Sequence, residues 1–263
     1  MKKKFISILI SNFNKEKYLY KCLMSCKNQK YNNFEIIIFD DNSTDKSMMI
    51  IKKFKNFKNL KIIQNKKRKK ISGPLSQINS LKNAFNKSKG KIICLLDSDD
   101  YFEKNKISIV NKIFKNKEIK FLLNYPKIND KSFKINEKNH TFSIWPTIFP
   151  TSCISLDRKT FVNFLDYLYP NKFPLLEIDA RLVIFAKHVL NNINYEKKKI
   201  TNYIVDPNGI SSKSKKFSIN WWLKRFQAFE YLKLLLYRKK IFFRPSIDYY
   251  ITKVIYKIIK KFN

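Results

Sequence analysis

The chain has 263 residues, enough for one large α/β domain or for a domain with an appendage. Hydrophobic residues make up 44% and aromatics 15%, which excludes a disordered or solvating chain although charged residues reach 29%. A formal charge of +35 suits nucleic acid, an anionic membrane surface or a phosphorylated substrate, and equally suits solvated lysine faces with no partner.

In chain order, MKKKFISILI starts charged, but Asn12 and the charged NKEK follow too soon for a secretory apolar region, so residues 5–10 are expected to form a first strand. Residues 15–29 follow Asn14 with helical spacing, and Cys22 and Cys26 lie one turn apart beside Leu19 and Leu23 as core residues rather than metal ligands. With Cys94 and Cys153 they form no CxxC pair, which argues for a reducing compartment and against a disulfide framework. Further strands are expected at 34–40, 60–64 and 91–97, each apolar through its length as strands covered on both faces are. Helices are expected over 44–57, with Ser43 as N-cap, and over 75–88, closed by Gly90. This alternation predicts right-handed crossovers and a mostly parallel sheet. No apolar run approaches the ~18 residues a membrane-spanning helix needs.

In such sheets ligands bind beyond the carboxyl ends of the strands. The residues there are SNFN (11–14), DDNSTD (40–45) and DSDD (97–100), so six carboxylates gather on one edge of a basic chain. Helix capping uses one acceptor per helix and does not account for six. Crowded carboxylates raise one another's pKa unless a cation compensates them, so a hard divalent ion is expected. A short D-x-D suits Mg²⁺ or Mn²⁺ shared with a nucleotide diphosphate better than an all-protein cage.

Three stretches in order, ISILISNFNKEKYLYKCLMSCKNQKYNNFEIIIFDDNSTDKS, KSKGKIICLLDSDDYFEKNKI and EIDARLVIFAKHV, resemble family 2 glycosyltransferases of the GT-A fold, inverting enzymes that use nucleotide sugars. The resemblance implies an α/β GT-A fold with a mostly parallel sheet flanked by helices, and it spans roughly the first 190 residues. It implies that Ser11 and Phe13 line the nucleobase pocket, that Asp41 hydrogen-bonds the base, that Asp97 approaches the ribose or the metal, and that Asp99 is the principal metal ligand. Asp100 would shape the turn, and Asp179 stands where the family keeps its catalytic base.

Inverting transfer needs one carboxylate to take the acceptor hydroxyl's proton opposite the leaving nucleotide. For Asp179 the structural alternative is an N-cap of an amphipathic helix with Arg181 as ion-pair partner, and Glu177 is the fallback base. Residues 141–160 resemble the acceptor-side segment, where Trp145 would stack on a sugar or sit in the core. Two departures stand out. No clear counterpart exists for the family's diphosphate-binding Arg, Lys82 and Arg68 being candidates, and Asp206 replaces a frequent His, with Lys213, Lys215 and Lys216 as substitute cations. His140 and His188 match no motif.

From Ile219 the chain turns helical, aromatic and basic. Ile247, Ile251, Val254 and Ile258 form one stripe with Lys253, Lys257, Lys260 and Lys261 off it, which reads either as helices packed on the catalytic domain or as a membrane-surface helix near Trp221 and Trp222. The expected organisation is a catalytic domain at 1–216, with a nucleotide half (1–100) and an acceptor half (101–216), and a helical basic extension at 217–263. The expected activity is metal-dependent transfer of a sugar from a nucleoside-diphosphate donor, UDP-linked by family weight, to a glycan or lipid-linked hydroxyl in cell-surface polysaccharide synthesis. It is placed in the cytoplasm or at the inner membrane face. The rivals are a sugar nucleotidyltransferase, disfavoured because 3 glycines cannot build a Gly-rich phosphate loop, and a basic nucleic-acid-binding protein, for which no reader motif is present and no specific nucleic acid is expected.

Overall fold

The computed structural model describes residues 4–129, 131–132, 147–207, 209–210, 212 and 214–262. Trp145, His140 and Lys213, singled out above, lie outside the described residues.

The first half alternates as its sequence requires: β1 (Ile6–Asn12), α1 (Glu16–Lys27), β2 (Phe34–Asp40), α2 (Ser47–Lys53), β3 (Leu60–Gln64), α3 (Gly73–Asn86) and β4 (Ile92–Asp97). β1 pairs in parallel with β2 and β4, and β2 with β3, so this half of the sheet runs β3-β2-β1-β4. The strands read as continuous apolar runs because both faces are covered. Leu9, Ile37 and Leu95 enter the core under α3, while Ile8, Ile10, Ile38 and Leu96 enter the core under α1. All four cysteines are buried and free, and Cys22 and Cys26 sit on the inner side of α1.

The second half is mixed rather than parallel. After β5 (Tyr101–Phe102) and α4 (Lys106–Ile113) come β6 (Phe121–Ile128), β7 (Lys131–Ser132), β8 (Ile154–Asp157), α5 (Arg158–Asp166), α6 (Ile178–Phe185) and β9 (Asn194–Tyr203). β8 runs antiparallel to β4 and β6, and β9 lies parallel to β6, extending the order to β3-β2-β1-β4-β8-β6-β9-β5. The order reverses between β1 and β4, and at such a switch point a crevice opens at the strands' carboxyl ends.

Three local expectations change. Ser43 does not cap α2, which begins at Ser47; its hydroxyl donates to Asp40 and accepts from the backbone NH of Asn14. Gly90 does not close α3, which ends at Asn86. A Cβ on Gly90 would lie 2.4 Å from the backbone N of Ser7, so the glycine is there for the close approach of β1. The helix after Glu177 is buried on all sides, not amphipathic, and Arg181 donates to backbone carbonyls of the preceding loop instead of pairing with Asp179.

α7 (Ile219–Arg238) packs Tyr231, Leu232 and Leu235 into the same core as α6, and α8 (Ile247–Phe262) lies on α7 through Tyr249, Thr252 and Tyr256, the last stacked on Phe226 at 3.7 Å. The burial expected for the Ile247 stripe is reversed. Ile247, Ile251, Val254 and Ile258 are 49% or more exposed, because the aromatic side of α8 is the one that meets α7. No helix among the described residues is long and apolar enough to cross a membrane.

Candidate active site

The crevice at the switch point is a cavity of about 370 Å³ whose walls include Ser11, Phe13, Asp41, Asp97, Asp99 and Asp179. All six residues expected at the site are therefore brought to one space. Register does part of this: Ser11 pairs directly with Asp97 across β1 and β4, and Asn12 with Asp40 across β1 and β2.

The base of the cavity is a rigid polar framework. Asp40 is fully buried and accepts from Asn12 (2.7 Å) and Ser43, fixing the β2 turn. Asp41 accepts from Asn65 at 2.7 Å, from Arg68 at 3.1 Å and from Ser76. Asp45 accepts from the backbone NH of Glu16 at 2.9 Å, satisfying an orphan donor at the start of α1. Asp97 accepts from Gln77 at 2.7 Å, and Asp100, buried at 1% exposure, holds the turn by accepting from Ser152 and from the backbone NH of Ile204. Asp99 is ion-paired with Lys15 at 2.6 Å, and the same ammonium meets Asp206.

Crowding at this edge is offset in part within the chain: Arg68 meets Asp41 and Lys15 meets Asp99, while Asp40, Asp45, Asp97 and Asp100 accept from neutral donors. Each of the six carboxylates has a partner within the chain. Among the described residues no group of three His, Cys, Asp or Glu side chains is placed to hold a metal. The donors facing the cavity are nevertheless all hard oxygens, and the side-chain oxygen of Gln77, beside Asp97, is buried without a partner. Asp99 and Asp97 with waters and a diphosphate would fit a divalent ion, in competition with the Lys15 ammonium.

Of the two candidates for a diphosphate cation, Arg68 lines the cavity with its guanidinium 3.3 Å above the Phe13 ring, while Lys82 is exposed on α3. Lys215 and Lys216 are exposed and are not among the lining residues, and Lys15 is a cation that meets Asp206. No local pattern marks Lys15 for this place, because Asp206 lies 191 residues away in the chain.

Asp179 occupies the far wall, where burial and then the neighbouring Glu177 carboxylate push its carboxyl up to about 7. Burial and then Asp99 do the same to Asp97, also to about 7. Glu177 is the N-cap residue of α6 and is ion-paired with Lys224 of α7 at 2.6 Å. Asp179 accepts from the backbone NH of Ala180 at 2.6 Å. It also belongs to a second cavity of about 260 Å³, lined mainly by apolar groups such as Pro126, Ile128, Ile148 and Phe149.

Arg181 and Lys106 are both fully buried; the sequence offered Arg181 only as an ion-pair partner of Asp179 and gave no signal for Lys106. Arg181 donates to the carbonyls of Leu168, Leu176, Lys172 and Phe173, fixing the loop that leads to Glu177 and Asp179. Lys106 donates to Asn124, Thr201 and the carbonyl of Ser152, supporting from below the serine that holds Asp100.

The family model described as glycosyl transferase family 2 matches residues 7–171. An uncharacterized glycosyltransferase of Rickettsia felis is 31% identical over 219 residues, covering 78% of this chain and 35% of that protein. A Methanococcus voltae protein, dolichyl N-acetyl-alpha-D-glucosaminyl phosphate 3-beta-D-2,3-diacetamido-2,3-dideoxy-beta-D-glucuronosyltransferase, is 51% identical over 72 residues, 26% of this chain and 22% of that one. The chain spans about a third or less of the length of these curated relatives. The structure of S. aureus TarS 1–349 in complex with UDP-GlcNAc is similar in fold, with a TM-score of 0.68 at 19% identity over 88% of this chain and 66% of that one.

Proposed function

The chain belongs to glycosyl transferase family 2, and from that premise we propose that it transfers a sugar, with inversion, from a nucleoside-diphosphate sugar to an acceptor hydroxyl. The observation that carries the reading is the place of Asp179, on the wall shared by a carboxylate-rich cavity and a smaller apolar one. A base between a donor space and an acceptor space is what inverting transfer needs.

In this reading Ser11, Phe13 and Asp41 receive the nucleobase, Asp97 the ribose or the metal, and Asp99 the metal. The Arg68 guanidinium now covers the Phe13 face on which a base would stack, so donor entry turns Arg68 outward, toward the diphosphate. Asp179 takes the proton of the acceptor hydroxyl while that oxygen bonds to the anomeric carbon. The bond from that carbon to the diphosphate breaks with its electron pair, and Arg68 and Lys15 offset the charge of the departing nucleotide. A bound Mn²⁺ or Mg²⁺ would supply further Lewis-acid neutralisation of the diphosphate. Glu177 is less suited to the proton transfer because its carboxylate oxygen is engaged by the Lys224 ammonium.

The names of the relatives support, for this chain, a UDP-linked donor and a lipid-linked acceptor, and a role in cell-surface polysaccharide synthesis at the cytoplasmic membrane face is part of the proposal. The division into a catalytic domain at 1–216 and an extension at 217–263 is kept as part of the proposal. Thermal-shift measurements with a panel of nucleoside-diphosphate sugars, with Mn²⁺ or with chelator, test the donor site. One donor should raise the midpoint, and Asp99→Ala should abolish the metal-dependent part of the rise. No response to any donor would overturn the assignment.

The Lys15 clasp gives a separate expectation. In Lys15→Met the ammonium no longer competes for Asp99 and Asp206, so Mn²⁺ titrated calorimetrically should bind about tenfold more tightly than to the wild type. Unchanged Mn²⁺ affinity would place the ion away from Asp99.

A further inference from the structure

We propose that the outer face of α8 is a docking surface for an anionic lipid bilayer. On that face Ile247, Ile251, Val254, Ile258 and Phe262 follow one another at helical spacing and are exposed by 80%, 49%, 57%, 52% and 79%. An apolar stripe of this length left in water is unusual for a surface helix, whose apolar side normally supplies its packing. Here the packing is supplied by the other side, through Tyr249, Thr252 and the stacked Tyr256, so the stripe is not used in packing among the described residues.

The charge pattern selects the occupant. Lys257 and Lys261 are exposed and flank the stripe on one side, Lys260 is exposed further round, and the one acidic residue of the helix, Asp248, is bonded to Arg225 of α7. A face with an apolar centre and a lysine flank matches the acyl boundary and the anionic headgroups of a bilayer. A second copy of the chain is a poor fit, because pairing two stripes would bring two lysine flanks together on molecules that each carry a formal charge of +35. At 16 residues α8 is too short to span a bilayer and has the length of an interfacial helix. The turn before it adds Phe242, 83% exposed, as a further apolar anchor.

This inference goes beyond the transferase reading and does not depend on it. The test uses the full chain in flotation with vesicles of phosphatidylcholine alone and of phosphatidylcholine with phosphatidylglycerol. The wild type should float with the anionic vesicles and not with the neutral ones. General charge adsorption would produce the same result, so the deciding variant keeps every charge: Ile251→Ser, Val254→Ser and Ile258→Ser combined should lower vesicle affinity at least about tenfold, with thermal midpoint and donor binding unchanged. Lys257→Gln with Lys261→Gln should lower it as well and reduce its dependence on salt. Wild-type affinity in the triple serine variant would overturn the proposal in favour of diffuse electrostatic adsorption. Loss of a concentration-dependent dimer in that variant, without loss of vesicle binding, would overturn it in favour of a self-interface.

Discussion

Replacing Asp179 by Asn is expected to lower kcat by about 10²- to 10⁴-fold while leaving donor affinity within a factor of about two. The amide keeps the shape and the contact with the backbone NH of Ala180 but cannot accept the hydroxyl proton. The pH profile provides a second readout. Burial and Glu177 hold the Asp179 carboxyl up to about 7, so kcat/KM in the wild type should rise with pH through that value as the base ionises. Stability should move the other way. A carboxyl of ordinary pKa 3.8 in the unfolded chain and about 7 in the folded one favours folding below 3.8, and that contribution is lost as pH rises toward 7. Asp97 adds to the same trend over the same window. Glu177→Gln serves as the control, and a larger loss of kcat there than in Asp179→Asn would exchange the two assignments.

The second large effect is structural. Arg181 is fully buried, its pKa is lowered to about 10 by burial, and its guanidinium is shared among backbone carbonyls between Leu168 and Leu176. The Tyr231 and Phe173 rings lie 5.6 and 5.8 Å from it. Arg181→Met fills a similar volume but strands these carbonyls away from water, so it should cost about 3–5 kcal/mol and lower the melting temperature by about 10 °C. Arg181→Lys should recover part of that loss, since three donors on a flexible stem replace a rigid fork of five. Calorimetric melting of the three proteins checks this, and a midpoint within about 2 °C of wild type for the Met variant would mean that the loop is held by something else. Because the loop runs directly into Glu177 and Asp179, activity should fall more steeply than stability as temperature is raised.

The nucleotide half was readable because its signals are local. FISILI, FEIIIFD and KIICLLD are unbroken apolar runs, burial on both faces requires that pattern, and the polar turns that follow them are adjacent in the chain. Ser11, Phe13, Asp41, Asp97, Asp99 and Asp179 were all selected from such signals or from the resemblance they support, and one cavity contains them all. The carboxylates' partners within the chain were not readable. Arg68 lies 27 residues from Asp41, Ser152 lies 52 from Asp100 and Asp206 lies 191 from Lys15, separations at which only the packing of loops decides which side chains meet.

Sequence by itself therefore determined the family, the strand-helix alternation and the acidic edge, since each follows from short-range periodicity and from residue types that only certain environments tolerate. Tertiary structure alone decided how the charges are shared, and it did so through long-range contacts. Lys15 sits between Asp99 and Asp206, Glu177 is taken by Lys224 while Asp179 faces two cavities, and the lone guanidinium of Arg181 finds carbonyls instead of a carboxylate. It also decided which side of an amphipathic helix is the inside. The stripe of α8 has the period of a buried face, but stacking of Tyr256 on Phe226 turns that helix over and leaves Ile247, Ile251, Val254 and Ile258 facing water, because a helix with two packable sides is oriented by the partner surface that α7 presents.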